Sequence, residues 1–165
     1  MSGSDPHPDH DPDPPVLLAC RALARAIDLF DEAACHTLGI GRSDLRALNL
    51  LEHRPLSPAV IADQLHLSRS SVTSLLDRLE RAGYVIRTDD PADRRGVQVV
   101  LRPETFRAFA DVYLPLGVRA HTSVEHLSDD DRASLLRGIE ALTTAFQGAT
   151  HTVDLIHQAS RGVAT

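Results

Sequence analysis

The sequence has no lysine and no tryptophan, only two cysteines, and 4% aromatic residues among its 165 positions. Its core must therefore be built from Leu, Val, Ile and Ala, and richness in Leu and Ala favours helices. No apolar run reaches the roughly 20 residues of a membrane span, and no signal peptide is recognisable. Cys20 and Cys35 lie on one predicted helix, about 22 Å apart at 1.5 Å per residue, too far to bridge each other. A reduced, cytoplasmic protein is expected.

Charge is unevenly distributed along the chain. The net charge is −6, yet from Arg42 to Arg102 ten arginines face eight acidic residues, a net of +2. The remaining sequence has seven arginines and fifteen acidic residues, a net of −8. Concentrated basic charge of this kind indicates a nucleic-acid partner for the central region. No nucleophile motif, Gly-rich phosphate loop or poised carboxylate pair is present, so neither an enzyme nor a cofactor is predicted.

The stretch from Leu65 to Arg87 predicts one helix followed by a strand. Ser68 is a suitable N-cap, and Gly83 follows the last periodic residue, where a left-handed residue ends a helix. Four apolar residues recur at helical spacing along one face: Val72, Leu75, Leu76 and Leu79. The period supports a helix with one buried side.

The opposite face of this helix carries short hydroxyl side chains and arginines. Its members are Ser68, Arg69, Ser70, Ser71, Thr73, Ser74 and Arg78. Small hydroxyl residues allow close approach to another surface, and arginines pair with phosphate or guanine edges. We interpret this face as that of a DNA recognition helix. For Arg78 and Arg81 an alternative remains, because Asp77 and Glu80 could pair with them or simply share the helix surface.

The neighbouring segments complete a winged helix-turn-helix. Ser57-Pro58 begins a short supporting helix, and His66, which tolerates positive φ, occupies the turn. After Gly83 the pattern alternates, predicting strands at Tyr84–Arg87 and Val97–Leu101 around a polar turn. Two arginines at the tip of this hairpin suit phosphate contact or a narrow minor groove; they are Arg94 and Arg95.

Helices are predicted on both sides of this core. One runs from Pro15 to Leu38, and a second, capped by Ser43, ends near His53. A further helix runs from Pro103 to about His126, and the last begins after Ser128 and extends past Gly148. The fold class is mainly α with a small β-hairpin wing: a winged helix-turn-helix core flanked by N- and C-terminal dimerisation helices.

The predicted organisation is one domain behind a polar tail. Residues 1–14, rich in Pro, Asp and His, are expected to be disordered. Residues 15–165 form a single domain, in which 42–102 is the winged helix-turn-helix. Residues 15–40 and 103–165 supply dimerisation helices, because their apolar stripes exceed what a small winged domain needs.

Two segments, SRSSVTSLLDRLERAGYVIR at residues 68–87 and DPADRR at 90–95, resemble the MarR (multiple antibiotic resistance repressor) family of bacterial transcription regulators. By resemblance, Ser68, Arg69, Ser70, Ser71, Thr73 and Ser74 match the DNA-contacting face. Asp93 matches the acid that orders the wing, and Arg95 the arginine that reaches DNA. A glutamine often found in the second helix is replaced by Asp44.

The resemblance implies a homodimeric repressor that binds a palindromic, inverted-repeat operator in double-stranded DNA. It also implies release by a small phenolic or other anionic effector near the junction of dimerisation helices and wing. Two alternatives remain: a redox-sensing regulator acting through Cys20, or a winged-helix protein–protein interaction module without DNA binding. Cys20 has no nearby tyrosine partner, so a buried, inert cysteine is favoured. No metal site is predicted, because His121 and His126 are not spaced to share a helix face.

Overall fold

A computed structural model describes residues 14–91 and 96–162. The elements in chain order are α1 (Pro14–Leu38), α2 (Arg42–His53), α3 (Pro58–Leu65), α4 (Arg69–Arg81), β1 (Val85–Asp89), β2 (Val97–Leu101), α5 (Pro103–Val124) and α6 (Asp129–Gly162). The mainly helical fold with a two-stranded antiparallel wing is confirmed. The described residues do not include Asp93, Arg94 and Arg95. They also do not include the predicted disordered tail, except for Pro14.

The chain forms two compact units, and the boundary follows Leu114 inside α5. The first unit contains the core. Its largest fully buried apolar side chains come from α2, α3, α4 and both strands: Leu45, Leu48, Ile61, Val72, Leu76, Leu79, Val85 and Val99. The periodic apolar positions of the predicted recognition helix are therefore its buried side, as expected from the 3.6-residue period.

The wing is joined to the helix-turn-helix by a third strand-like contact. Val85 pairs with Leu101 at the base of the antiparallel hairpin. Leu56, just before α3, exchanges two backbone hydrogen bonds with Val99, at 2.8 and 3.2 Å. An isolated two-stranded hairpin is only marginally stable in water, so this contact and the burial of Val99 hold the wing in place.

Local turn chemistry follows the sequence closely around α3 and α4. His66 adopts a left-handed conformation, with φ 53° and ψ 41°, and ends α3 as predicted. Gly83, with φ +81°, follows α4 and permits two closing bonds: Gly83 N–H donates to the carbonyl of Glu80, and Tyr84 N–H to that of Leu79. This tight closure leads directly from the recognition helix into the wing.

The predicted cap of the second helix was wrong. α2 begins at Arg42 with Gly41 as its N-cap, two residues earlier than a cap at Ser43 would give. The amide of Gly41 donates to Asp44 Oδ2 at 3.0 Å, so a carboxylate in the first turn replaces the expected serine hydroxyl. The helix ends at His53, as predicted.

The second unit contains the end of α5 and the long helix α6. α5 ends at Val124, two residues before the predicted end, and α6 continues to Gly162. Ser128 Oγ accepts the amide of Asp131 at 3.1 Å, and acidic residues in the first turn complement the helix dipole. Among the described residues, no helix combines the length and apolar character needed to cross a bilayer.

Candidate DNA-binding surface

The N-terminal half of α4 presents a small polar surface to solvent. We call Ser68, Ser70, Ser71, Thr73 and Ser74 the hydroxyl face; all five side chains are exposed. Ser68 Oγ accepts the amide of Ser71 at 3.1 Å and lies 2.8 and 3.0 Å from the hydroxyls of Ser71 and Ser70. Thr73 donates to the carbonyl of Arg69 at 2.9 Å. These bonds fix the first turns of a helix whose other side is buried.

An open groove of about 400 Å³ joins this helix to the wing. Its lining comes from the start of α3, from α4 and from β2: Ser57, Pro58, Ala59, Arg69, Thr73 and Val97. Arg69 and Thr73 thus share one concave surface with the first residue of the returning wing strand. The fold brings helix-turn-helix and wing to one side of the molecule, as required for simultaneous contact with a groove and its phosphates.

The C-terminal half of α4 has a different role. Arg78, predicted from the sequence to contact DNA or to pair with Asp77 or Glu80, pairs instead with Asp44 of α2. Its Nη2 lies 2.5 Å from Asp44 Oδ1 and its Nε 3.1 Å from Oδ2. This hydrogen-bonded pair raises the pKa of the Arg78 guanidinium. Of the alternatives left open by the sequence, the structure pairs Arg78 with neither Asp77 nor Glu80, whereas its contact with DNA stays a prediction.

The acidic residues Asp77 and Glu80 are instead partners of the wing. Arg87 of β1 lies 2.6 Å from Asp77 Oδ1 through Nη2, and its Nη1 forms a close ion pair with Glu80. The amide of Arg87 also donates to Glu80 Oε1 at 3.3 Å. Arg81 donates to the carbonyl of Asp77 at 3.2 Å. Three ion pairs, one to α2 and two to β1, thus hold the C-terminal end of α4.

The roles of Asp93, Arg94 and Arg95 at the wing tip stay predictions, since those residues lie outside the described ranges. The hairpin that carries them is defined as far as Asp90, whose amide donates to the carbonyl of Gly96 at 3.0 Å. Asp90 and Gly96 therefore lie close together, and Val97, which follows Gly96, lines the groove.

A second cavity, of about 470 Å³, lies between α2 and α5. Its lining is Asn49, Glu52, His53, Phe106, Phe109, Ala110 and Tyr113. The Tyr113 ring lies 5.7 Å from that of Phe109 and 5.2 Å from that of Phe30. Sequence reasoning pointed only to a junction near these helices and named none of the lining residues. The clustering of scarce aromatic residues at the start of α5 was a signal that could have found them.

The Tyr113 hydroxyl is the unusual group of this cavity. It is buried, and no hydrogen bond of acceptable geometry reaches it from the described residues. Burial raises the pKa of the Tyr113 phenol, nearby Asp31, Cys35 and Glu52 add to the rise, and the Asn49 side chain acts in the opposite direction. A buried hydroxyl without a well-formed hydrogen bond is costly, and Asn49 is the side chain that comes nearest to supplying one.

The two cysteines differ in environment. Cys35 is buried, and desolvation raises the pKa of its thiol, which keeps the reactive thiolate scarce near neutral pH. Cys20 is partly exposed on α1. Cys20 was predicted to be buried, and in the structure it is only partly buried. In the part of the chain that the structure describes, no three His, Cys, Asp or Glu side chains are grouped so that they could hold a metal ion.

Comparison with known proteins places this surface in a family. A model described as MarR family matches residues 38–96, which contain α2, the helix-turn-helix and β1. The chain is 32% identical over 122 residues to YfiV of Bacillus subtilis (strain 168), an uncharacterized HTH-type transcriptional regulator; the match covers 73% of this chain and 76% of that protein. This chain belongs to the MarR family. YcgE of the same organism is also an uncharacterized HTH-type transcriptional regulator. It is 39% identical to this chain over 98 residues, and the match covers 59% of this chain and 64% of YcgE.

Solved structures agree on the MarR fold. A MepR variant from multidrug resistant S. aureus superposes with a TM-score of 0.66 at 17% identity, over 79% of this chain and 96% of that chain. Another S. aureus MepR variant, bound to an oligodeoxyribonucleotide, gives a TM-score of 0.54 at 18% identity over 79% and 97%. The predicted family and winged-helix fold are confirmed. The family is one of transcriptional regulators, so the prediction that the protein is not an enzyme is confirmed as well.

Proposed function

We propose that this MarR-family protein is a homodimeric repressor that binds an inverted-repeat duplex and is released by a small ligand. The observation that carries the proposal is the exposed hydroxyl face, which opens with Arg69 onto the same groove as the wing strand. A B-DNA major groove is about 12 Å wide and admits a helix. The short side chains of Ser70, Ser71 and Ser74 allow the backbone of α4 to approach the base edges.

Dimerisation is supported by apolar side chains that the chain itself leaves uncovered. On α1, Leu23 and Ile27 are 59% and 52% exposed. On α6, the residues at 135, 136, 139 and 146 form an exposed stripe: Leu135, Leu136, Ile139 and Phe146 are 41–56% exposed. Contiguous apolar surface of this kind marks an interface. To read half-sites one helical turn apart, the two recognition helices of such a dimer must lie about 34 Å apart.

The ligand is assigned to the cavity between α2 and α5. Three aromatic rings, the Glu52 carboxylate and the buried Tyr113 hydroxyl line it, and no arginine is among its lining residues. Ring faces and a carboxylate attract cations. The lining therefore favours a neutral or cationic aromatic compound over the anionic effector that the family resemblance implied. Release requires that the ligand bind better to an arrangement in which the two recognition helices do not match successive major grooves.

Binding to duplex DNA is the decisive experiment. The duplex is selected by the purified protein from a random-sequence pool, and affinity is then measured by fluorescence anisotropy from about 50 to 200 mM salt. With 6–10 phosphate contacts, affinity should fall about 10³–10⁵-fold over this range, because bound counterions are released. A protein that retards no duplex at low salt would contradict the proposal and favour the protein–protein module instead.

The charge of the cavity gives a second prediction. Berberine, a fluorescent cationic aromatic compound, should bind the protein, and Glu52→Gln should weaken this binding about threefold, since a charge interaction with an exposed carboxylate is lost. Salicylate, an anionic aromatic compound, should bind more weakly than berberine to the unmodified protein. Glu140→Gln, at an exposed position on α6, is the matched control and should leave berberine binding unchanged. Equal berberine affinity in both variants would exclude Glu52 from the site.

A further inference from the structure

We infer that the Asp44–Arg78 ion pair is a positioning device: it sets the orientation of the recognition helix on α2, and Arg78 acts through Asp44 and not by contact with phosphate. The inference rests on the proposed DNA-binding function. It assigns a role to the residue that the sequence grouped with the DNA contacts, and to an acidic residue that the sequence did not single out as functional.

The geometry of the pair is that of a fixed joint. The Asp44 side chain is 3% exposed, and its carboxylate accepts three hydrogen bonds: from Gly41 N–H at 3.0 Å, Arg78 Nε at 3.1 Å and Arg78 Nη2 at 2.5 Å. A two-point contact with a planar guanidinium fixes both distance and angle. Because the Gly41 bond anchors the carboxylate to the first turn of α2, the fork fixes α4 relative to α2.

Arg78 lies on the side of α4 that carries part of the hydroxyl face. An ion pair at this position therefore fixes the orientation of the residues proposed to contact DNA. Arg78 follows Ser71 by seven residues and Ser74 by four, so all three lie along one side of the helix. This alignment is why the pattern alone assigns Arg78 to DNA. The remaining packing of α4 against α2 involves leucines such as Leu45 and Leu75 in the shared core. Apolar contact is not directional, whereas the ion pair is.

α2 connects this joint to the ligand cavity as well. Asp44 lies in the first turn of α2, and Asn49, Glu52 and His53, which line the cavity, lie in its second half. A ligand that displaces α2 therefore changes the support of the recognition helix through the same carboxylate. Both proposed activities, DNA binding and release, use one rigid element of twelve residues.

A double-mutant cycle tests the inference. Asp44→Asn, Arg78→Gln and the combined variant are measured by anisotropy on the duplex selected by the unmodified protein and on an unrelated duplex, at several salt concentrations. Each single change should lower the affinity for the selected duplex about tenfold or more. The combined variant should lose no more affinity than the single variant that binds less tightly. Binding to the unrelated duplex, and the slope of log K against log salt, should stay unchanged.

Other results would overturn the inference. If Arg78 contacts a phosphate, Arg78→Gln reduces the salt slope by about 0.9, Asp44→Asn does not, and the two effects add. If the pair serves stability alone, thermal melting shifts while the affinity of the folded variants is unchanged. Failure of the unmodified protein to bind any duplex refutes the proposed function itself, which separates that outcome from failure of the cycle.

Two further variants complete the design. Arg42→Gln breaks the exposed pair between Arg42 and Asp28, 2.7 Å apart, and is the matched control that should bind as the unmodified protein does. Arg78→Lys keeps the charge but removes the two-point fork. If Asp44→Asn does not fold, Arg78→Lys should still lose affinity for the selected duplex and retain it for the unrelated one. Full affinity of Arg78→Lys for the selected duplex would contradict the inference.

Discussion

The Ser70→Glu variant is expected to lose at least about 100-fold in affinity for duplex DNA while remaining fully folded. Ser70 is exposed at the second position of α4, in the centre of the hydroxyl face. Like charges brought together in an interface cost several kcal/mol, and a carboxylate here faces phosphates. In the free protein the same carboxylate lies at a helix N-terminus, where negative charge stabilises the helix by about 0.3–1 kcal/mol. Anisotropy should therefore show a large loss of affinity, while thermal melting shows no loss of stability.

The chain offers a close control for this change. Ser43 is likewise exposed and likewise second in its helix, α2, so Ser43→Glu adds the same charge in the same helical context away from the hydroxyl face. It should melt much as Ser70→Glu does and bind DNA as the unmodified protein does. If both serine variants lost affinity equally, net charge would explain the loss, and the hydroxyl face would lose its assignment.

The sequence predicted best those features that a few neighbouring residues determine. The cap at Ser68, the left-handed turn at His66 and the closure at Gly83 each depend on residues within one or two turns, and all three are present in the structure. The buried side of α4 followed from its apolar period in the same way. Local chemistry was therefore enough to define the recognition helix and its exposed surface.

Contacts between distant residues were predicted poorly. Asp44 and Arg78 are 34 positions apart, and on the sequence Arg78 has nearer acidic neighbours in Asp77 and Glu80. Those two acids pair with Arg87, since Gly83 turns the chain back and brings β1 alongside α4. Sequence spacing shows which charged residues could pair along one helix. Which partner each residue actually takes depends on the tertiary fold, and spacing gives no information on that.

The residues that line the cavity between α2 and α5 were not predicted, for a related reason. Its residues come from two helices more than 50 positions apart in the sequence, and each is ordinary in its own helix: Asn49 and Glu52 on α2, Phe106 and Tyr113 on α5. Aromatic residues at helical spacing predict a buried stripe. Whether such a stripe fills a core or lines a space depends on how far apart the two helices pack, and a periodic pattern carries no such information.

The Ile139→Asp variant is expected to be monomeric and to bind the selected duplex about 100-fold or more weakly. Ile139 is 48% exposed in the centre of the apolar stripe of α6, and its neighbours along the stripe include Leu135 and Phe146. An aspartate there would have to be buried without a partner in any interface that this stripe forms. A dimer engages two half-sites at once, and loss of the second contact removes an avidity of about 10²–10⁴. Sedimentation velocity and anisotropy measure the two effects.

Ala141→Asp distinguishes an interface from a general effect on the helix. Ala141 is exposed two residues further along α6, about 200° around the helix from Ile139, so it points away from the stripe. Both variants place aspartate in the middle of the same helix, and their cost in helix propensity is therefore similar. A dimer that survives in Ala141→Asp but not in Ile139→Asp locates the contact on the stripe. If Ile139→Asp sediments as a dimer, α6 does not hold the two copies together, and the exposed leucines of α1 become the surface on which dimerisation depends.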